Sequence, residues 1–140
     1  MSDLTKETWK YTWDYKKDGA FYHPMLSVSL IPNVLDGVTI SCDALVDTGA
    51  DWCIFPESFL EQLGIKQDDL PHTEVSLVSG SPVLVHLDIV TLDFGFTKYE
   101  TLVGFHGNNF AMLGHKGFFD RFVVVFDTAN KQFMVTNQKP

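Results

Sequence analysis

The chemically suggestive stretch of this sequence is Val46-Asp47-Thr48-Gly49-Ala50-Asp51. It follows the apolar end of a β-rich run at Leu45-Val46, which places Asp47 at the rim of a core with a flexible glycine two residues on. A carboxylate there is expected to be partly desolvated. Asp and Gly also favour turns for purely local reasons, so these residues alone leave an ordinary tight turn open. Other chemistries are poorly served. His23, His72, His86, His106 and His115 are scattered without metal-ligand spacing, and no metal is expected. Cys53 lies in an apolar run just after the motif and is expected to be buried, not a thiol nucleophile. No Gly-x-Ser-x-Gly elbow or phosphate loop is present.

The elements that would carry this motif read as strands. Trp9, Tyr11, Trp13 and Tyr15 alternate with Lys10, Thr12 and Asp14, a period of two that predicts a strand with one covered face. Asp18-Gly19 signals a hairpin that returns the chain through Phe21 and Tyr22 to Pro24. Leu26, Val28 and Leu30 alternate with serines, and a turn at Asp36-Gly37 leads into the run ending at Leu45-Val46, so these two segments are expected to pair. One helix is predicted over Glu57 to Leu63, with Pro56 at its start and Gly64 as its stop. Strands are expected at Thr73 to Val78, Val83 to Phe94, Tyr99 to Phe105, Val123 to Phe126 and Phe133 to Val135, the last two joined by a turn at Asp127 to Lys131. The count gives a mostly β fold.

The 140 residues correspond to one domain, expected over 9–140 behind a polar tail at 1–8, with 9–23 as an N-terminal hairpin extension. Apolar residues make up 45% and charged residues 20%, which excludes a disordered or low-complexity chain. The net charge of −8 repels phosphate backbones and anionic membranes, so nucleic acid and membrane partners are not expected. The longest dense apolar run, Phe122 to Phe126, is far shorter than the ~20 residues a membrane-spanning helix requires. Asp3, Lys6, Glu7 and Lys10 interrupt the N-terminus where a secretory signal would be continuously apolar. The cytoplasm is therefore the expected compartment unless a signal has been removed, and Cys42 and Cys53 are expected as reduced thiols.

Three elements in order, Leu45-Val46-Asp47-Thr48-Gly49-Ala50-Asp51, the Gly-containing hairpin Val78-Ser79-Gly80-Ser81, and Ala111-Met112-Leu113-Gly114, resemble the retropepsin-like aspartic proteases. The resemblance spans about Pro24 to Val135 and implies a closed β-barrel or sandwich with one or two short helices, the second at Gly117 to Phe122. It further implies hydrolysis of peptide bonds by water held between two carboxylates, with no cofactor. Only one Asp-Thr-Gly is present, and Asp127-Thr128-Ala129 reads as a hairpin turn. The second carboxylate must then come from another copy, Asp47 meeting its symmetry mate on the axis of a homodimer.

The same resemblance assigns roles to the neighbours. Thr48 would brace the two loops across the axis, Gly49 would let the main chain approach, and Ala50, where pepsins carry Ser, removes a donor and implies an optimum in weak acid or near neutrality. Asp51, Trp52, Ile54, Val78, Ser79, Gly80, Met112 and Leu113 would contact a polypeptide substrate, with bulky apolar residues expected around the cut. Glu74 to Val90 would form a flap with its tip at Val78 to Ser81, stiffened by Pro82. Gly114 would pack beside the catalytic loop. The family's Arg after this glycine is replaced by His115 and Lys116, so a pH-dependent Asp51–His115 attraction is the expected substitute in supporting loop and dimer. Two other readings stand beside the endopeptidase: a catalytically silent dimerisation or peptide-binding module of the same fold, and a precursor in which Trp9 to Tyr22 covers the cleft.

Overall fold

The computed structural model describes residues 8–34, 36–76, 80–107 and 110–137. Three short strands come first: β1 (Lys10–Asp14), β2 (Lys16–Asp18) and β3 (Phe21–His23). The barrel strands follow: β4 (Met25–Pro32), β5 (Ile40–Val46), β6 (Ile54–Phe55), β8 (Pro82–Asp93), β9 (Lys98–Phe105) and β10 (Ala111–Leu113). The strand β7 (His72–Ser76) and the helix α1 (Ser58–Leu63) lie between β6 and β8, and β11 (Val123–Asp127) and β12 (Gln132–Thr136) end the described chain.

Closure is the organising feature. The order β4-β5-β10-β6-β9-β8 returns to β4 through pairing of Ser29 to Pro32 with Val90 to Asp93, a ring of six strands. Its inward positions are the ones the alternation marks: Leu26, Val28 and Leu30 on β4, Val90 and Leu92 on β8, and Val103 and Phe105 on β9 are buried. Each such side chain contributes roughly 1.5–3 kcal/mol by leaving water, which is why register is tightly specified here. α1 follows the prediction, presenting Leu60 and Leu63 to this core and stopping at Gly64, whose φ of 76° suits a residue without a Cβ. β7 continues the free edge of β8 beyond β4, pairing Val75 with Val83 and Ser76 with Pro82. This hairpin carries the expected flap. Gly80 is exposed at its described margin, while Val78 and Ser79 lie outside the described residues.

Two expectations are corrected. The aromatic strand β1 does not fold back on Phe21–His23, which pairs with β2 alone; it lies antiparallel to β12, in a three-stranded sheet of order β1-β12-β11. Asp18-Gly19 specifies only the local hairpin, and the partner of β1 is chosen by a surface remote in sequence. Trp9, Tyr11 and Trp13 pack on Phe96 with ring centroids 5.1, 5.0 and 5.3 Å away, and Trp13 also stacks on Phe133 at 5.4 Å. The stripe thus roofs the core at the 94–97 turn, and a covering role over the Asp47 cleft is not supported. The second helix expected at Gly117 to Phe122 is instead a run of turns, with bonds from Phe119 N to Gly114 O, Asp120 N to His115 O and Arg121 N to Phe118 O. Gly117, at φ 102° against Cys53 and Thr101, breaks any helical repeat at its first residue. The other helical element is a single 3-10 turn at Gln67–Asp69. Among the described residues no helix is long and apolar enough to cross a membrane.

Candidate active site

β5 and β10 run parallel side by side, with Val46 opposite Leu113, so the chain leaves both strands at the same level. The two exits then clamp one another. Asp47 N bonds to Leu113 O at 3.0 Å, His115 N to Ala50 O at 2.9 Å, and Lys116 N to Asp51 O at 2.9 Å. Gly114 is the crossing point: a Cβ there would stand 2.4 Å from Trp52 O and 2.5 Å from Ala50 O, so only glycine lets the backbones meet. The Gly114 N–H points at the Cys53 sulfur at 3.4 Å. Cys53 is fully buried, and burial pushes its thiol up to about 12, so it is a packing residue, as expected.

Within this clamp the Asp47 carboxylate is half-buried and accepts the Gly49 N–H on Oδ1 at 2.9 Å. That bond turns the carboxylate back over its own loop and fixes its direction. Thr48 is exposed, and its carbonyl accepts from His115 Nε2 at 2.7 Å. The expected Asp51–His115 contact is therefore corrected: the imidazole holds main chain of the Asp47 loop, and no ion pair joins it to Asp51. Lys116 caps the outer side, its ammonium 4.6 Å from the centre of the Trp52 ring.

The loop opens on a cleft of about 80 Å³ lined by Asp47, Gly49, Ala50, Asp51, Trp52, Ile54, Val75, Ser76 and Met112. Seven of these nine were expected from the sequence. Val75 and Ser76, at the root of the flap, were missed as site residues; the sequence there marked only a strand. Leu113 is the opposite case. It is fully buried in the barrel core, because adjacent strand residues face opposite sides and Met112 takes the cleft side. Its contribution is its carbonyl, not its side chain. Ile54 and Val75 are buried in a small second cluster with Val85, against which Trp52, Val83, Leu87 and Met112 pack, so the cleft floor is apolar and separate from the barrel core.

Residues 31–104, just over half of the chain and including the Asp47 motif and α1, match the sequence family described as aspartyl protease. The chain belongs to the aspartyl protease family. Among solved structures it is similar to a retropepsin-like aspartic protease from Rickettsia conorii, at a TM-score of 0.64 and 16% identity, over 97% of this chain and 96% of that one. The fold of this aspartyl protease family member is thus retropepsin-like, mostly β with a closed six-stranded barrel. No curated protein sequence matches. The chain's other Asp-Thr, Asp127-Thr128, is accounted for locally: Asp127 accepts the Asn130 N–H at 3.2 Å and the Asn130 amide at 2.9 Å, closing the β11–β12 turn. Among the described residues no group of three or more His, Cys, Asp or Glu is placed to hold a metal ion.

Proposed function

We propose that the protein is an aspartic endopeptidase active as a homodimer, with one Asp47 from each copy forming the acid–base pair. The observation that carries this reading is the held carboxylate of Asp47 at the mouth of a cleft that is only a fraction of a binding site. At about 80 Å³ it is well below the ~300–1,000 Å³ of a typical ligand pocket, and an extended peptide needs a second wall. A two-fold axis beside Asp47 supplies both that wall and the second carboxylate, since an isologous contact brings identical residues together. Exposed Thr48 stands next to the axis in this arrangement, available to brace the partner's loop.

Two carboxylates about 3 Å apart cannot both ionise readily, so the pair shares one proton. The ionised member takes a proton from a bound water as its oxygen attacks the peptide carbonyl carbon; the protonated member gives its proton to the carbonyl oxygen. Collapse of the tetrahedral intermediate breaks the C–N bond, with a proton passing to the departing amine. The apolar floor of Trp52, Ile54, Val75 and Met112 favours bulky apolar side chains, and the peptide adds as a strand beneath the β7–β8 hairpin.

The test is direct. Wild type and Asp47→Asn are incubated with an unfolded protein from pH 4 to 7.5, and sedimentation is measured alongside. Cleavage by wild type as a dimer, lost in the variant while the dimer persists, is expected. Cleavage by a monomer, or by Asp47→Asn, refutes the reading; binding without cleavage by both favours the silent peptide-binding module.

A further inference from the structure

A second concavity, of about 420 Å³, shares no residue with the Asp47 cleft. It is walled by Trp9, Lys98, Tyr99, Arg121, Phe122 and Asn137. Arg121 is the sole arginine of a chain in which 18 acidic residues outnumber 10 basic ones, yet among the described residues it forms no ion pair. Its guanidinium lies 4.0 Å over the Tyr99 ring, and its Nη2 donates to the Glu100 carbonyl oxygen at 3.3 Å. Tyr99 is itself pinned, its hydroxyl donating to Gly117 O at 2.6 Å. Arg121 is itself exposed, so the Tyr99 ring and this one hydrogen bond bias its guanidinium toward the concavity while leaving it open to solvent.

The acidic residues beside it, Glu100 and Asp120, form no ion pair with it. Glu100 meets Arg121 through its backbone carbonyl, and Asp120 Oδ1 accepts the Gly117 N–H at 3.1 Å. Among the described residues the one ion pair is Lys16 with Asp43, so Lys98 on the same wall is also without a carboxylate partner. A guanidinium has five N–H donors in a planar fork, and one is used here. Trp9 and Phe122, which also line the concavity, pack with ring centroids 5.8 Å apart and add aromatic surface to its wall.

A guanidinium fork stacked on Tyr99, a second cation and aromatic lining complement a carboxylate carried next to an apolar body. We propose that this concavity binds the free carboxylate end of a peptide whose last residue is aromatic or bulky apolar, with Arg121 and Lys98 on the carboxylate and Trp9 and Phe122 against the side chain. The volume is within the ~300–1,000 Å³ range of small-molecule sites and accommodates one or two residues. The net charge of −8 selects against polyanions, whereas a single carboxylate is governed by nearby groups, the two cations at contact and, opposing them, Asp120 beside Tyr99 and Asp93 across the strand pair from Lys98, since at physiological salt other charges are screened beyond ~8 Å. The site does not depend on catalysis at Asp47.

The probe is N-acetyl-phenylalanine, titrated into the full chain and followed by amide and indole NMR shifts at physiological salt. Its carboxamide tests the carboxylate, acetate tests the apolar body, and N-acetyl-glutamate α-amide separates a chain end from an acidic side chain. The expected result is saturable shifts at Trp9, Tyr99 and Phe122. Affinity should fall roughly tenfold or more for the carboxamide and for Arg121→Gln, as loss of a charge-assisted bidentate contact requires, and by a smaller factor for Lys98→Gln. Thermal melts check that both variants fold; if Arg121→Gln does not, Lys98→Gln and the wild-type shift map decide. The proposal is overturned if acid and carboxamide bind alike, if the side-chain glutamate probe or inorganic phosphate binds more tightly, if shifts fall outside these residues, or if folded variants bind as wild type does.

Discussion

The substitution Gly114→Ala probes the geometry on which the site rests. An alanine Cβ at this position meets only main chain: Trp52 O at 2.4 Å, Ala50 O at 2.5 Å and Trp52 C at 2.8 Å. No flexible side chain can yield, so residues 50–52 must move by most of an ångström to restore ordinary contact. That movement strains the bonds from His115 N to Ala50 O and from Lys116 N to Asp51 O, each 2.9 Å long. Overpacking of this kind costs ~1–3 kcal/mol, and weakening two hydrogen bonds adds about 1 kcal/mol, for a total of roughly 3 kcal/mol. For a chain of this size that lowers the melting temperature by about 10 °C. The control is Gly95→Ala, where nothing lies within 4 Å and only a φ of 87° opposes a side chain. Its cost is ~1–2 kcal/mol, about one third to two thirds of the shift. Calorimetry on both variants decides the matter. A Gly114→Ala melt within about 2 °C of wild type, or no lower than that of Gly95→Ala, refutes the account of how the Asp47 loop is held.

Other outcomes follow from the same contacts. His115→Ala removes the side-chain bond to the Thr48 carbonyl and is expected to lower stability by ~1 kcal/mol in urea unfolding, with Gln, which keeps a donor, recovering part of it; equal losses for Ala and Gln would show that the 2.7 Å bond contributes nothing. Burial pushes Cys42 up to about 11 and Cys53 up to about 12, so in native protein at pH 8 neither should react appreciably with iodoacetamide, whereas both should in denaturant; rapid native labelling of Cys53 contradicts its placement. The hydrogen bonds from Lys16 and Ser27 hold the Asp43 carboxyl below its ordinary value. A depressed carboxyl stabilises the fold above its unfolded pKa and loses that effect as pH falls through the folded one, so Lys16→Ala should be destabilising at pH 6 and nearly neutral at pH 2. A Lys16→Ala effect of the same size at both pH values would remove that linkage.

The composition of the Asp47 loop was legible because its causes are local. An apolar strand ending in Asp-Thr-Gly, a Pro-Glu start and a Gly stop for α1, and period-two alternation on β4 and β8 are each written within a few residues. What was not legible depends on contacts remote in the chain. Nothing within Ala111-Met112-Leu113 says which of the two larger residues faces the core; that is set by parallel pairing with β5, 67 residues earlier. His115 was recognised as a support, but its acceptor turned out to be a main-chain oxygen, a partner type that no side-chain motif announces. The mate of β1 was likewise hidden, because the Asp18-Gly19 signal is strong and local while Phe96 and Phe133 are far along the chain.

The seam between β1 and β12 leaves the first and last described strands stitched together, with Trp9 N bonded to Asn137 Oδ1 at 2.9 Å and Thr136 Oγ1 to Trp9 O at 2.6 Å. The barrel is therefore indifferent to where the polypeptide starts. A short linker from Asn137 to Trp9, with new ends cut at the exposed Gly95 turn, would give a circular permutant that keeps every strand ladder, and would bring fused cargo out beside the aromatic roof instead of at the seam.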